Sequence, residues 1–589
     1  GLCTDAAQNN ICGSREMFLS GTYRRMKKKR MLMGAGILIF AAALAAGVFL
    51  IRRYMPTSER MSSEEYFGAL DNGEAAVIVE DHLVQERALI YDDGIYVNYA
   101  LVQDELNSRF YWDESAQLML YTTPSEIYEI PVGGSTYTAG GETMDAEREI
   151  LRNAFGSIYM SLDFLCQYTD MKYESFNEPN RIVITFGSRE VTTAEVRRDA
   201  AVRYQGGIKS PILTEVSGGS LVTVLEEMDD WSQVLTEDGY IGYIRNSSLR
   251  NFYPTQRDTY WQGEEYTSLS LEGRVNLVWH QINYPEMNGN LSDDTANMTG
   301  VNVISPTWYF LSDNEGNIDS YADASYVEEA HAKGLQVWAL ISNFSENVST
   351  TELLASRQAR QKVQEYLVSQ AQEIGFDGIN IDFEGIAQEA GPSYVQFMRE
   401  LSILCRQNGI YLSVDVPVPM DFSSHYNREE LGVVCDYVIM MGYDEHYAGS
   451  DLVGSVASLD FEITGIQNML TEVPKEKLVS AIPFYSRVWY TETLEDGSAS
   501  VTSEAVTMDQ AEELLAENGV SSSYDESTGQ QYAQWTDSQG RLCQIWLEDE
   551  NSVAARASLV SEYDLGGIAA WVLGNEQDFV WEIISENIQ

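Results

Sequence analysis

The residues best equipped for chemistry lie together in Gly375-Phe376-Asp377-Gly378-Ile379-Asn380-Ile381-Asp382-Phe383-Glu384-Gly385. Side chains on a β-strand alternate between faces, so Asn380, Asp382 and Glu384 share one side while Ile379, Ile381 and Phe383 take the other. Crowding two carboxyl groups raises one pKa of the pair. An acid kept protonated near neutral pH is what general-acid catalysis requires. The apolar side suits a parallel strand whose outer face lies under helices. Arg357 to Ile374 reads as the preceding helix. A strand of this kind, with polar groups near its C-terminal end, is what a barrel of alternating strands and helices uses to carry catalysis. Asp377, off the alternation, is expected to brace the start of the strand, with Gly378 beside it as structural support. An acidic chain throws up Asp/Glu pairs by chance, but chance does not place them on one face of an Ile/Phe-backed strand between glycines.

The pattern Asp-Gly-x-Asn-x-Asp-x-Glu at 377–384 resembles the active-site signature of glycoside hydrolase family 18, the chitinase-like barrels. The resemblance implies that no enzyme carboxylate attacks the sugar and that the substrate's own 2-acetamido oxygen does so. Glu384 is then the general acid and later the base. Asp382 orients the acetamido group and stabilises the oxazolinium charge. Asn380 stands where the family's usual Asp does, as in its spore-lysin-like branch, and is expected to hydrogen-bond Asp382 and contact substrate. Val438-Ile439-Met440-Met441-Gly442-Tyr443-Asp444 resembles the sixth-strand motif, which implies Tyr443 on the acetamido carbonyl and Asp444 on a sugar hydroxyl; Gly442 replaces the family's Thr. Ala481 to Arg487 resembles the seventh-strand motif, with Tyr485 and Arg487 facing the cleft. Trp571 matches the Trp flooring the subsite of the cleaved sugar, where an indole face suits a pyranose. Asn343, Trp308 and Glu576 are read either as sugar contacts or as loop structure. The resemblance implies no cofactor.

Periodicity supplies the framework for these residues. From Arg274 onward apolar strands alternate with helices, so residues 271–589 are expected to form a (β/α)8 TIM barrel. Strands are predicted at Val275-Trp279, Asn302-Pro306, Gln336-Ile341, Gly378-Glu384, Tyr411-Val416, Tyr437-Met441, Leu478-Pro483 and Gly567-Leu573. An excess segment at about 490–555, before strand eight, resembles the insertion that walls one side of the family's cleft.

Upstream, residues 57–190 repeat a pattern of strand, short helix, strand, strand. Ile95-Tyr96-Val97 through Leu118-Met119-Leu120-Tyr121 is one pass and Ile158-Tyr159-Met160 through Ile182-Val183-Ile184 the other. This predicts an α+β stalk domain, which resembles the N-terminal domain of copper amine oxidases, without the ligating His residues that copper would need. Residues 195–250 carry short apolar runs between turn signals and predict a small all-β barrel. Gly239-Tyr240-Ile241-Gly242-Tyr243-Ile244 resembles the closing strands of a bacterial Src-homology-three-like domain, which would be either a wall-peptide binder or a spacer.

At 589 residues the chain should hold several domains, and its net charge of -53 disfavours nucleic acid and other phosphate partners. Five scattered His residues give no metal-ligand spacing, so no metal site is expected. The six Cys show no C-x-x-C pair, and Cys405 and Cys435 read as buried thiols. Residues 31–51 form an uncharged stretch long enough to cross a bilayer. With Lys27-Lys28-Lys29-Arg30 before it and only Arg52-Arg53 after it, residues 1–30 are expected as a cytoplasmic basic tail, with Met26 as a plausible start, and the remainder is expected outside the cytoplasm. The competing reading is a signal peptide cleaved near Ala43-Leu44-Ala45.

These readings converge on a monomeric, membrane-anchored glycosidase. Its substrate would be a β-1,4-linked N-acetylglucosamine-containing polymer, peptidoglycan ahead of chitin. A catalytically inactive wall-glycan lectin or scaffold is the alternative, and retention of Glu384, Asp382 and Tyr443 together argues against it.

Overall fold

The computed structural model describes residues 9–259 and 261–588; the first eight residues of the expected basic tail and the C-terminal Gln589 lie outside them. The described residues divide into two compact units, one running to Val97 and resuming at Leu165–Trp261, the other comprising Asn98–Phe164 and the chain from Gln262.

The first unit begins with a helix, Asn9–Tyr54, whose Lys28–Tyr54 stretch is long and apolar enough to span a bilayer. Beyond it, Glu74–Val79 pairs in parallel with Arg181–Phe186 and antiparallel with His82–Tyr91, and Met171–Phe176 lies against Arg181–Phe186. Seven further strands between Glu190 and Gln256 form an antiparallel sheet over a core that includes Val196, Val202, Val222, Val234 and Ile244. Period-two alternation of small β-branched residues suits such a half-buried sheet.

In the second unit, eight parallel strands close on themselves: β1 Val275–His280, β2 Val303–Leu311, β3 Gln336–Ser342, β4 Gly378–Asp382, β5 Tyr411–Pro417, β6 Tyr437–Met441, β7 Leu478–Pro483 and β8 Gly567–Trp571. Closure is made by β1, which pairs with both β2 and β8. Leu277, Trp279, Trp338, Leu340, Ile439 and Val479 fill the interior, and a larger apolar layer lies between strands and helices. All eight predicted strands are present. β4 ends at Asp382, two residues before the expected Glu384, and the chain turns at Gly385 with φ of 62°. β2 runs past Pro306 to Leu311 and gains an antiparallel partner, Ile318–Ser320. The insertion begins at Tyr485 and is a five-stranded antiparallel sheet, with a helix at Met508–Glu517. Buried Arg556 fastens it, pairing with Glu462 at 2.7 Å and Glu548 at 2.9 Å.

Residues 57–190, expected as one duplicated stalk, divide between the units. Residues 98–164 belong with the barrel, where strands from Phe110 to Asp145 make a five-stranded antiparallel meander. Charge pairing holds the meander to the barrel helices Arg357–Ile374 and Gly391–Asn408. Arg360 reaches Asp113 at 2.6 Å and Glu400 at 3.2 Å, with both the guanidinium and Asp113 wholly enclosed. Arg109 reaches Glu430 at 3.0 Å and Glu264 at 3.2 Å, and Tyr111 bonds Ser393 at 2.8 Å. These partners lie far along the chain from the meander, beyond the reach of local periodicity.

Removing one member of a buried ion pair leaves an uncompensated charge, which costs about 3–5 kcal/mol. Arg360 keeps Glu400 as its partner, so Asp113→Ala is expected to lower stability by less than that, by about 1–3 kcal/mol for the lost bond to a charged group. Urea denaturation followed by tryptophan fluorescence reads the change, and a negligible loss would show that apolar contacts alone dock the meander.

Candidate active site

β4 delivers the acidic row, and its start is fixed by two local constraints. A Cβ on Gly378 would stand 2.6 Å from Trp338 Cδ1, so glycine is needed for β4 to lie against β3. Asp377 Oδ2 accepts the Val337 backbone N–H at 2.8 Å and lies 2.8 Å from His331 Nε2. The need for glycine recurs after β6, where a Cβ on Gly442 would meet the Ala481 carbonyl at 2.8 Å. That contact accounts for the missing Thr.

Asn380 sits fully buried in the barrel interior. Its Oδ1 accepts from Trp279 Nε1 at 2.9 Å and Ser305 Oγ at 3.3 Å. Its Nδ2 donates to Ser413 Oγ at 3.0 Å and Asp415 Oδ1 at 2.8 Å. An amide offers two donor and two acceptor positions, so none remains for Asp382 or substrate. The expected Asn380–Asp382 bond is replaced by these four.

Asp382 follows on the same face, and its Oδ1 is enclosed without a hydrogen-bond partner. Glu384 stands past the strand end, where Asn343 clamps its backbone: Asn343 Nδ2 donates to the Glu384 carbonyl at 2.8 Å and its Oδ1 accepts the Glu384 N–H at 3.0 Å. Asn343 thus supports the loop carrying Glu384.

Asp382, Glu384, Tyr443, Asp444, Tyr485 and Trp571 converge on one cavity of about 180 Å³. Trp571 packs against Trp279 with centroids 5.7 Å apart. The Tyr485 hydroxyl donates to Asp444 Oδ1 at 2.6 Å, and Asp444 takes the left-handed backbone, with φ of 59°. A second cavity of about 210 Å³ shares Glu384, Tyr443 and Asp444 and extends past Met420 and exposed Phe422. Glu384 therefore stands where the two meet.

Burial holds the Glu384 carboxyl above the usual carboxylate range, with the Asp444 charge adding to it. Burial pushes Asp382 well above that range, and the Glu384 charge pushes in the same direction. A hydrogen-bond acceptor and a proton donor thus face a cavity floored by an indole, as acid-assisted cleavage of a sugar acetal requires.

The remaining candidates lie outside the cavity lining. Arg487 bonds Ser503 Oγ at 3.1 Å within the insertion. Trp308 is fully buried and donates to Asn288 Oδ1 at 2.8 Å, so it is core. Glu576 Oε2 accepts the Gly574 N–H at 2.7 Å, closing its own loop. Sequence reasoning missed Asp415 and Phe344, both of which line the cavity. The signal for Asp415 was a lone carboxylate in the apolar run Val414-Asp415-Val416.

Residues 284–576 match the model of glycosyl hydrolases family 18, and residues 198–250 that of the bacterial SH3 domain. A glycosylase of Bacillus subtilis (strain 168), YvbX, is 26% identical over 298 residues, covering 49% of this chain and 84% of the relative. The cortical fragment-lytic enzyme of the same organism is 26% identical over 263 residues, covering 42% of this chain and 59% of its own length. The C-terminal domain of a chitinase candidate from Desulfitobacterium hafniense DCB-2 shares the fold, with a TM-score of 0.50 at 22% identity over 54% of this chain and all of that one. The barrel is accordingly a glycosyl hydrolases family 18 domain, and the chain is a glycosidase that also carries a bacterial SH3 domain.

Proposed function

We propose that the chain cleaves a β-1,4-linked polymer containing N-acetylglucosamine, peptidoglycan in preference to chitin, with retention of configuration. The observation that carries this reading is the position of Glu384 at the junction of two cavities, with Asp382 two residues before it. One sugar sits over Trp571, and its neighbour lies toward Met420 and Phe422. Glu384 protonates the oxygen between them, and the acetamido oxygen of the first sugar attacks its own anomeric carbon. Asp382, through its unpartnered Oδ1, takes the acetamido N–H, while Tyr443 holds the carbonyl side. Water then opens the oxazolinium ring with Glu384 as base. Asp444 and Tyr485 contact hydroxyls of the bound ring. Exposed Phe344 and Phe422 offer aromatic faces for further sugars.

The preference for peptidoglycan is supported by the bacterial SH3 domain and by the relative named a cortical fragment-lytic enzyme. The apolar helix at Lys28–Tyr54 serves as an uncleaved anchor, with the lysine-rich end cytoplasmic and the barrel outside. Peptidoglycan is anionic, so local contacts rather than the net charge of -53 must hold it.

Release of reducing ends from purified peptidoglycan and from chitin oligosaccharides by the detergent-solubilised chain tests the reading. Glu384→Gln is expected to lower the rate by about 10²–10⁴-fold, the usual worth of a general acid. Binding of both polymers with cleavage of neither would instead establish the glycan-binding scaffold. Asn343→Ala should lower kcat by about tenfold or more with KM little changed, because it frees the Glu384 backbone; a raised KM alone would return Asn343 to the sugar contacts. Glu384 must be protonated to act, and the Asp444 charge helps keep it so. Asp444→Asn is therefore expected to move the basic limb of the pH profile of kcat/KM to lower pH, and an unmoved limb would rule out that coupling.

A further inference from the structure

The cavity holds one carboxyl for which neither the motif nor the reaction above has a use. Asp415 lies on β5, 2% exposed. Ile381 pairs with Val414, so Asp382 and Asp415 are the next residues on adjacent parallel strands. Both line the same cavity, and no Lys, Arg or His is among its described lining residues. The ionisable groups that act on Asp415 are Asp382 at the end of β4, Glu384 just past it, Tyr443 just past β6, and Tyr394 from the helix Gly391–Asn408. None brings a positive charge. Two enclosed carboxyls side by side without a cation cannot both ionise, and one retains a proton.

Asn380 cannot hold that proton, because an amide does not titrate and its four hydrogen-bonding positions are filled. It does present Nδ2 to Asp415 Oδ1, leaving Oδ2 as the oxygen to carry the proton. We propose that Asp415 is a positioning residue that shares one proton with Asp382, taking it so that Asp382 is the anion when positive charge develops on the substrate. The step moves one proton between carboxyl oxygens and needs no co-reactant. Burial and the Asp382 charge push the Asp415 carboxyl well above its ordinary range, consistent with a proton kept there. The catalytic part of this assignment rests on the glycosidase mechanism proposed above; the shared proton does not.

The test uses the full chain and two readouts. Infrared difference spectra at neutral pH, wild type minus Asp415→Asn, should show the C=O band of a protonated carboxylic acid. In kinetics on peptidoglycan fragments, Asp415→Asn replaces an O–H···O⁻ bond by a weaker amide bond and so makes Asp382 harder to ionise. The acid limb of kcat/KM is expected to move up by about one pH unit, a roughly tenfold loss on the acid side, with KM little changed. Absence of the infrared band, or an unmoved acid limb in an active Asp415→Asn enzyme, overturns the proposal. If the wild type releases no reducing ends, the glycan reading fails, and the infrared band alone decides whether Asp415 shares the proton.

Discussion

The acidic site depends on an amide whose hydrogen-bonding capacity is consumed inside the barrel. Asn380 joins Trp279 of β1, Ser305 of β2, and Ser413 and Asp415 of β5 to its own strand. Four strands are thus tied at one level by hydrogen bonds to a neutral group, and the next residue outward on the same face is Asp382. A carboxylate in place of that amide would add a further negative charge to a space that already holds Asp382 and Asp415. The amide keeps the floor neutral and leaves the carboxyls to the mouth.

The consequence of this arrangement is electrostatic. The cavity concentrates carboxyl groups with no cation among its described lining residues, so burial and mutual repulsion act in the same direction on Glu384, Asp382 and Asp415. A group raised in this way favours the folded state at low pH and withdraws that support as pH rises through its folded pKa. The barrel accepts this cost where the proposed chemistry needs a protonated acid. The contrast with the rest of the unit is direct, since buried Glu462 and Asp113 each meet a guanidinium at hydrogen-bonding distance. Paired carboxylates hold the architecture together, and unpaired ones stand at the mouth.

Support for the site comes from residues that touch no substrate in the proposed reaction. Asn343 holds the Glu384 backbone from the end of β3, and Asp377 fixes the register between β3 and β4. Gly378 and Gly442 permit the close strand approaches that bring the two motif strands into place. A loop carrying a general acid beyond the end of its strand requires such a clamp, because a displacement of about 1 Å at the acid is costly.

Local pattern was enough to define the barrel, its eight strands and the acidic row. Strand alternation is a local property, and a period of two with an apolar reverse face admits few other readings. Tyr443, Asp444, Tyr485 and Trp571 came instead from the resemblance of their segments to the family's strand-end motifs. Which polar residues face the cavity and which serve the frame was settled by long-range packing. Asn343, Asn380 and Trp308 turned inward to backbone and core partners that sequence spacing does not reveal. Asp415 became part of the site because β5 lies beside β4, a pairing set by closure of the barrel. Residues 98–164 joined the barrel unit because Arg109 and Asp113 meet opposite charges far along the chain. Local patterns fix which residues share a face; which faces meet depends on distant segments packing together and on their buried charges finding partners.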